Sequence, residues 1–97
     1  MSERDDLLAL LHAALPELRR RWPIGSLAIF GSVARDEATI DSDLDVLVEF
    51  EHPVSLSEFL ALETELAVLA GRDVDLVTRQ ALKPFIGQRV LREAVPV

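Results

Sequence analysis

The order of patterns along the chain predicts a small α/β domain, in which apolar strands form one sheet and helices cover it. Three observations carry this expectation. Leu7, Leu8, Leu11, Leu15 and Leu18 recur at helical spacing near the N-terminus. The short apolar runs Leu27–Phe30, Leu44–Phe50 and Val74–Thr78 lie between turn residues, as buried strands do. A second helical pattern separates the last two runs, and a third follows them. At 97 residues the chain is expected to be one domain, residues 1–97, with a single core.

The first helix is expected over Glu3–Arg21. Ser2 followed by Asp5 resembles a capping box, and Arg19, Arg20 and Arg21 suit the negative end of the helix dipole. Pro16 should kink or restart the helix, because proline lacks a backbone donor and crowds the preceding turn. Trp22, beside Pro23 and a turn, is expected to cap the core. Gly25-Ser26 and Gly31-Ser32 bracket the first strand. Ser55 and Ser57 offer caps for a helix through Ala70, with Gly71 closing it, and Leu82–Glu93 reads as the last helix with Pro84 near its start.

Composition removes several classes of chemistry. Cysteine is absent, which excludes disulfides, thiolate metal sites and cysteine nucleophiles. His12 falls off the leucine stripe and His52 sits in a turn with Pro53, so neither reads as a metal ligand or a catalyst. No apolar run approaches the ~20 residues of a membrane span, and the N-terminus lacks the order of a signal peptide, so a cytoplasmic location is expected. The formal charge of −7 disfavours direct binding to nucleic acid. That charge is unevenly placed. Asp36 to Asp75 holds twelve acidic residues and one basic residue, Arg72, whereas the C-terminal region is basic through Arg79, Lys83, Arg89 and Arg92.

Within the acidic block and just ahead of it, three segments carry chemistry. Gly31-Ser32-Val33-Ala34-Arg35 follows the first strand, where a glycine permits a tight turn and the next residues can open a helix toward an anion. In Ser42-Asp43-Leu44-Asp45-Val46-Leu47-Val48, strand alternation puts Asp43 and Asp45 on one face and the aliphatic residues Leu44, Val46 and Val48 on the other. Asp45 lies inside a buried run, where an unpaired carboxylate is costly and two adjacent carboxylates repel. Asp73-Val74-Asp75-Leu76-Val77 repeats the spacing, so pairing of the second and third strands would bring Asp75 to the same site. A divalent cation answers both problems, and an all-oxygen donor set points to Mg²⁺ or Mn²⁺.

These three segments, in this order, resemble the minimal nucleotidyltransferase (MNT) proteins of the DNA polymerase beta-like superfamily, and the resemblance covers essentially the whole chain. It implies a small mixed β-sheet covered by helices. It also implies two Mg²⁺ ions held by Asp43 and Asp45, with Asp75 as the third carboxylate, either ligating the ion that activates the acceptor hydroxyl or acting as its base. Gly31, Ser32, Arg35 and Ser42 would surround the nucleoside triphosphate. Arg35 would either touch phosphate or brace the loop through an acidic neighbour. One position departs from the pattern: the residue after Ala34-Arg35 is usually glycine, and here it is Asp36, which would weaken nucleotide binding or alter only the turn.

So small a fold has room for a metal–triphosphate site but little for a separate acceptor pocket, so the acceptor is expected on another chain. Many members of the resembled family are antitoxins of type VII pairs, encoded with a HEPN-domain ribonuclease toxin, to which they transfer AMP from ATP on a tyrosine. That is the leading expectation. Two others stay open: an antitoxin that acts by binding alone, and a homodimeric enzyme that nucleotidylates a small hydroxyl compound. The remaining acidic residues, among them Glu49, Glu51, Glu58, Glu63 and Glu65, would complement a basic partner.

Overall fold

In the computed structural model, which describes residues 2–82 and 84–97, helix α1 spans Glu3–Arg21. The Ser2 hydroxyl accepts from the Asp5 N–H at 3.1 Å, filling one of the vacancies in the first turn. Leu7, Leu11, Leu15 and Leu18 are buried. The helix does not restart at Pro16. The hydrogen bond that Pro16 removes is the one to the His12 carbonyl, and both residues are exposed, so water can satisfy that oxygen while the leucine stripe stays packed. Trp22 caps the core as expected: it is 7% exposed, and its Nε1 donates to the Glu58 carbonyl at 3.0 Å.

Strand β1, Ile24–Phe30, starts earlier than its apolar run suggests. Gly25 is a bulge inside the strand and not a turn ahead of it. The register with the next strand shifts between Ile24 and Ser26, and a Cβ at Gly25 would stand 3.0 Å from the Glu49 carbonyl oxygen. Helix α2, Gly31–Ala34, is a single turn, and β2 follows at Leu44–Phe50. Helix α3, Leu56–Ala70, opens on a full capping box between Ser55 and Glu58 and closes on Gly71 at φ 68°, a left-handed position natural to glycine.

Strand β3 is Val74–Thr78. A 3₁₀ turn at Arg79–Ala81 then displaces the start of the last helix, so α4 is Pro84–Glu93 where the sequence reading began at Leu82. Lys83 lies outside the described residues. The chain ends in a strand that periodicity does not reveal: β4, Val95–Pro96, pairs with Ile29 and Ala28 of β1. Proline is tolerated there because β4 is an edge.

The sheet order is β3-β2-β1-β4, with β1 antiparallel to β2 and β4, and β2 parallel to β3. This is the small mixed sheet expected. The parallel pair requires a crossover, which α3 supplies. Leu27, Ile29, Leu44, Val46, Val48 and Leu76 form one face and meet the α1 leucines with Leu62 and Leu66 of α3 in a single core. The opposite face carries Ala28, Phe30, Asp45, Leu47, Glu49 and Asp75 by alternation, and of these only Leu47 is fully buried. The β3 edge is guarded by α3, whose Glu63 carboxylate accepts from the Leu76 N–H at 2.9 Å. No helix among the described residues is long and apolar enough to cross a membrane.

Candidate active site

Topology gathers the three predicted segments at one end of the sheet. β1 runs antiparallel to β2, so its last residue, Phe30, lies opposite Asp45 near the start of β2. Because β2 and β3 are parallel, both begin at that same end, and Asp45 is in register with Asp75. The two carboxylates therefore stand on neighbouring strands of the face that α1 and α3 leave open. Asp43 sits, exposed, just before β2.

Asp45 is the most constrained of the three. Partial burial pushes its carboxyl above the ordinary aspartate range, and the charges of Asp75 and then Asp43 push it further; Arg35 opposes them. Gly31 explains how the chain passes so close. Its φ is +74°, and a Cβ there would lie 2.1 Å from Asp45 Oδ2, inside any allowed contact. The glycine is needed twice, for the left-handed turn and for the space that the carboxylate occupies.

Among the described residues, no three acidic or histidine side chains already form a metal cage. The donor set still fits a hard divalent cation. It is all carboxylate, it offers no thiol or imidazole, and its mutual repulsion is of the kind a cation relieves.

Arg35 follows the α2 turn and is held by two acids: its Nε donates to Glu37 at 3.1 Å and its Nη1 to Glu93 at 3.2 Å. These bonds, Glu37 first, hold the guanidinium more firmly protonated than usual. Glu93 is in turn held below the ordinary glutamate range by Arg89 first and Arg35 second. Of the two roles left open for Arg35, the geometry displays the brace. Glu93 holds a residue of the candidate site and carries no signal in the sequence, because nothing local marks a partner 58 positions away. The Ser42 hydroxyl is occupied in shaping its own loop, accepting from the Thr39 N–H at 2.9 Å, while Arg72 donates to the Ser42 carbonyl at 3.3 Å and pairs with Glu3. Asp36 has φ 62°, so the position where the resembled family usually has glycine is left-handed. Its identity bears on the turn, and aspartate is among the few residues that tolerate it.

Several acids of the block have partners within the chain. Glu49 pairs with Arg79, Glu65 with Arg21, Glu58 completes a helix cap and Glu63 covers a strand edge. These four are thus not an idle surface awaiting a basic partner. A cavity of about 570 Å³, lined by Phe50, Val54 and Phe59 among others, lies at the other ends of β2 and β3 and contains none of the three aspartates.

The profile of the nucleotidyltransferase domain family matches residues 11–97. The chain belongs to this family. The domain is 44% identical over 93 residues, covering 96% of this chain and 94% of the relative, to Protein adenylyltransferase MntA of Thermococcus cleftensis. A solved structure described as a candidate minimal nucleotidyltransferase superposes with a TM-score of 0.81 at 40% identity, covering 100% of this chain and 97% of that one. A chain of a toxin–antitoxin crystal structure with AMP-PNP shares the fold at a TM-score of 0.69 and 22% identity, over 96% of this chain and 70% of that one. The nucleotidyltransferase domain thus has the fold that its Gly-Ser and Asp-x-Asp segments imply.

Proposed function

We propose that the chain is the antitoxin of a type VII pair and transfers AMP from ATP to a tyrosine of its cognate HEPN ribonuclease toxin. The observation that carries this reading is the Asp45–Asp75 register on the open face, with Gly31 pressed against the Asp45 carboxylate. The 44% identity to a protein adenylyltransferase over nearly the full length of both chains supports the choice of AMP and of a protein acceptor.

Asp43 and Asp45 would hold two Mg²⁺ ions, or Mn²⁺, with Asp75 as the third carboxylate. When bound, these ions supply activation of the attacking oxygen and stabilisation of the leaving one. The protein's own part is positional. Gly31 and Ser32 hold the triphosphate beside Asp45, and Arg35, fixed by Glu37 and Glu93, keeps a positive charge at the mouth of the site. The acceptor oxygen bonds to the α-phosphorus, the bond to the β-phosphate breaks, pyrophosphate departs, and Asp75 takes the hydroxyl proton.

The test is to incubate the purified pair with ATP and Mg²⁺ and weigh the toxin. AMP-sized mass gains that vanish in Asp43→Asn/Asp45→Asn are expected. A toxin that is silenced with no mass gain would instead establish inhibition by binding alone, and an active homodimer that modifies a small hydroxyl compound would establish the remaining alternative.

A further inference from the structure

The open face of the sheet is not flat beside the carboxylates. Ser26, Ala28 and Ala94 are small, and Leu47, Leu91 and Pro96 stand around them, leaving a groove of about 240 Å³. The groove lies further along β2 from Asp45, and Asp75 stands beside Asp45 on the neighbouring strand β3. Ala28 pairs with Leu47, and the next pair on this face is Phe30 with Asp45, about 7 Å further along. At its far rim Arg79 donates to Glu49 at 3.3 Å, so the one basic group among its described lining residues already has an acidic partner.

We propose that this groove is the acceptor subsite, and that it takes the aromatic ring of the hydroxyl-bearing side chain offered by the partner protein. The proposal rests on the adenylyltransferase reading above and adds where, and through which residues, the acceptor is recognised. Size favours a single ring, since the volume falls below the ~300–1000 Å³ of pockets that enclose whole small ligands. Chemistry favours a neutral phenol over the nucleotide. The floor is aliphatic, and Arg79, the basic group at its rim, is already paired with Glu49, so it is not free to hold a phosphate. A ring seated on Ala28 and Leu47 directs its hydroxyl along the strands toward Asp75, whereas the shorter side chains of serine and threonine cannot span that interval. The phenolic oxygen then forms the bond to the α-phosphorus, pyrophosphate leaves, and the phenolic proton passes to Asp75.

Leu91 is 43% exposed, so its replacement should leave the fold intact. The experiment compares wild type, Leu91→Arg and Ala28→Leu, the last filling the groove from its floor. It reads four quantities: KM for the toxin, KM for ATP, toxin binding without nucleotide, and the thermal midpoint. Both variants are expected to raise the toxin KM by about tenfold or more, as loss of an apolar pocket does, with the ATP KM and the midpoint essentially unchanged. An unchanged toxin KM overturns the proposal, and so does a rise confined to ATP, which would seat the nucleotide in the groove. Failure of the catalytic reading is seen separately, as a wild-type protein that binds toxin and adds no AMP. In that event, weaker toxin binding by Leu91→Arg upholds the groove as the contact for the partner, and unaltered binding overturns it.

Discussion

Replacing Gly31 by alanine tests whether the turn after β1 and the Asp45 carboxylate form one unit. Two costs are separable. The backbone sits at φ +74°, where a residue with a Cβ is disfavoured by about 1–2 kcal/mol, partly offset by the ~0.4–1 kcal/mol that alanine gains by restricting the unfolded chain. The new Cβ also meets Asp45 Oδ2 at 2.1 Å and Cγ at 3.1 Å. Ordinary contact requires the carboxylate to move by more than ~1 Å, which an off-rotamer aspartate can do at about 0.5–1.5 kcal/mol. Together these predict a loss of about 1–2 kcal/mol in urea unfolding, or several degrees in the thermal midpoint of a domain this size. Displacing a reacting group by that distance costs activity about a hundredfold, read as AMP added to the toxin per unit time. The double variant Gly31→Ala/Asp45→Ala keeps the backbone cost and removes the clash, so a double-mutant cycle should show a coupling of about 0.5–1.5 kcal/mol. A Gly31→Ala protein with wild-type stability and turnover would refute the close approach as the reason for glycine.

Asp45→Asn should raise the thermal midpoint of the metal-free protein at pH 7 while reducing AMP transfer by about a hundredfold or more. The folded state holds the Asp45 proton more tightly than the unfolded chain, so this group costs stability as pH rises above the ordinary carboxylate range, and the variant should lose that part of the pH dependence in melts from pH 4 to 8. Mg²⁺ with a non-hydrolysable ATP analogue should stabilise the wild type, by about 2.7 kcal/mol at a hundred times Kd, and should do so far less in Asp45→Asn. At Asp36, φ 62° predicts that Asp36→Gly is neutral or slightly stabilising and that Asp36→Val loses about 1–2 kcal/mol in chemical unfolding. Trp22→Phe removes the indole donor that reaches the Glu58 carbonyl, which lies within α3 and keeps its helical bond, and should cost about 0.5–1.5 kcal/mol by the same measurement.

The acidic centre of the chain turns out to serve several ends. Three of its aspartates converge on the proposed active site, and four of its glutamates pair a cation, cap a helix or guard an edge. Charge counting groups them because they share a sign. A salt-independent affinity for the partner would therefore agree with the structure better than attraction between acidic and basic surfaces would.

Local patterns determined much of this protein. The bounds of α1, β2 and β3 follow from hydrophobic period and capping residues, and the acidic pairs could be assigned a face because alternation along a strand does so without reference to the rest of the fold. What local pattern could not carry was set by pairing between distant segments. Gly25 reads as a turn until β2 lies beside it and makes it a bulge, Val95–Pro96 is too short to register as a strand until β1 accepts it, and Glu93 is one charge among many until α4 brings it to Arg35. The site shows the division most clearly. The aspartates could be named in sequence, but their meeting on one open face depended on β2 and β3 running parallel, and the need for Gly31 depended on the space that Asp45 fills once the strands are paired.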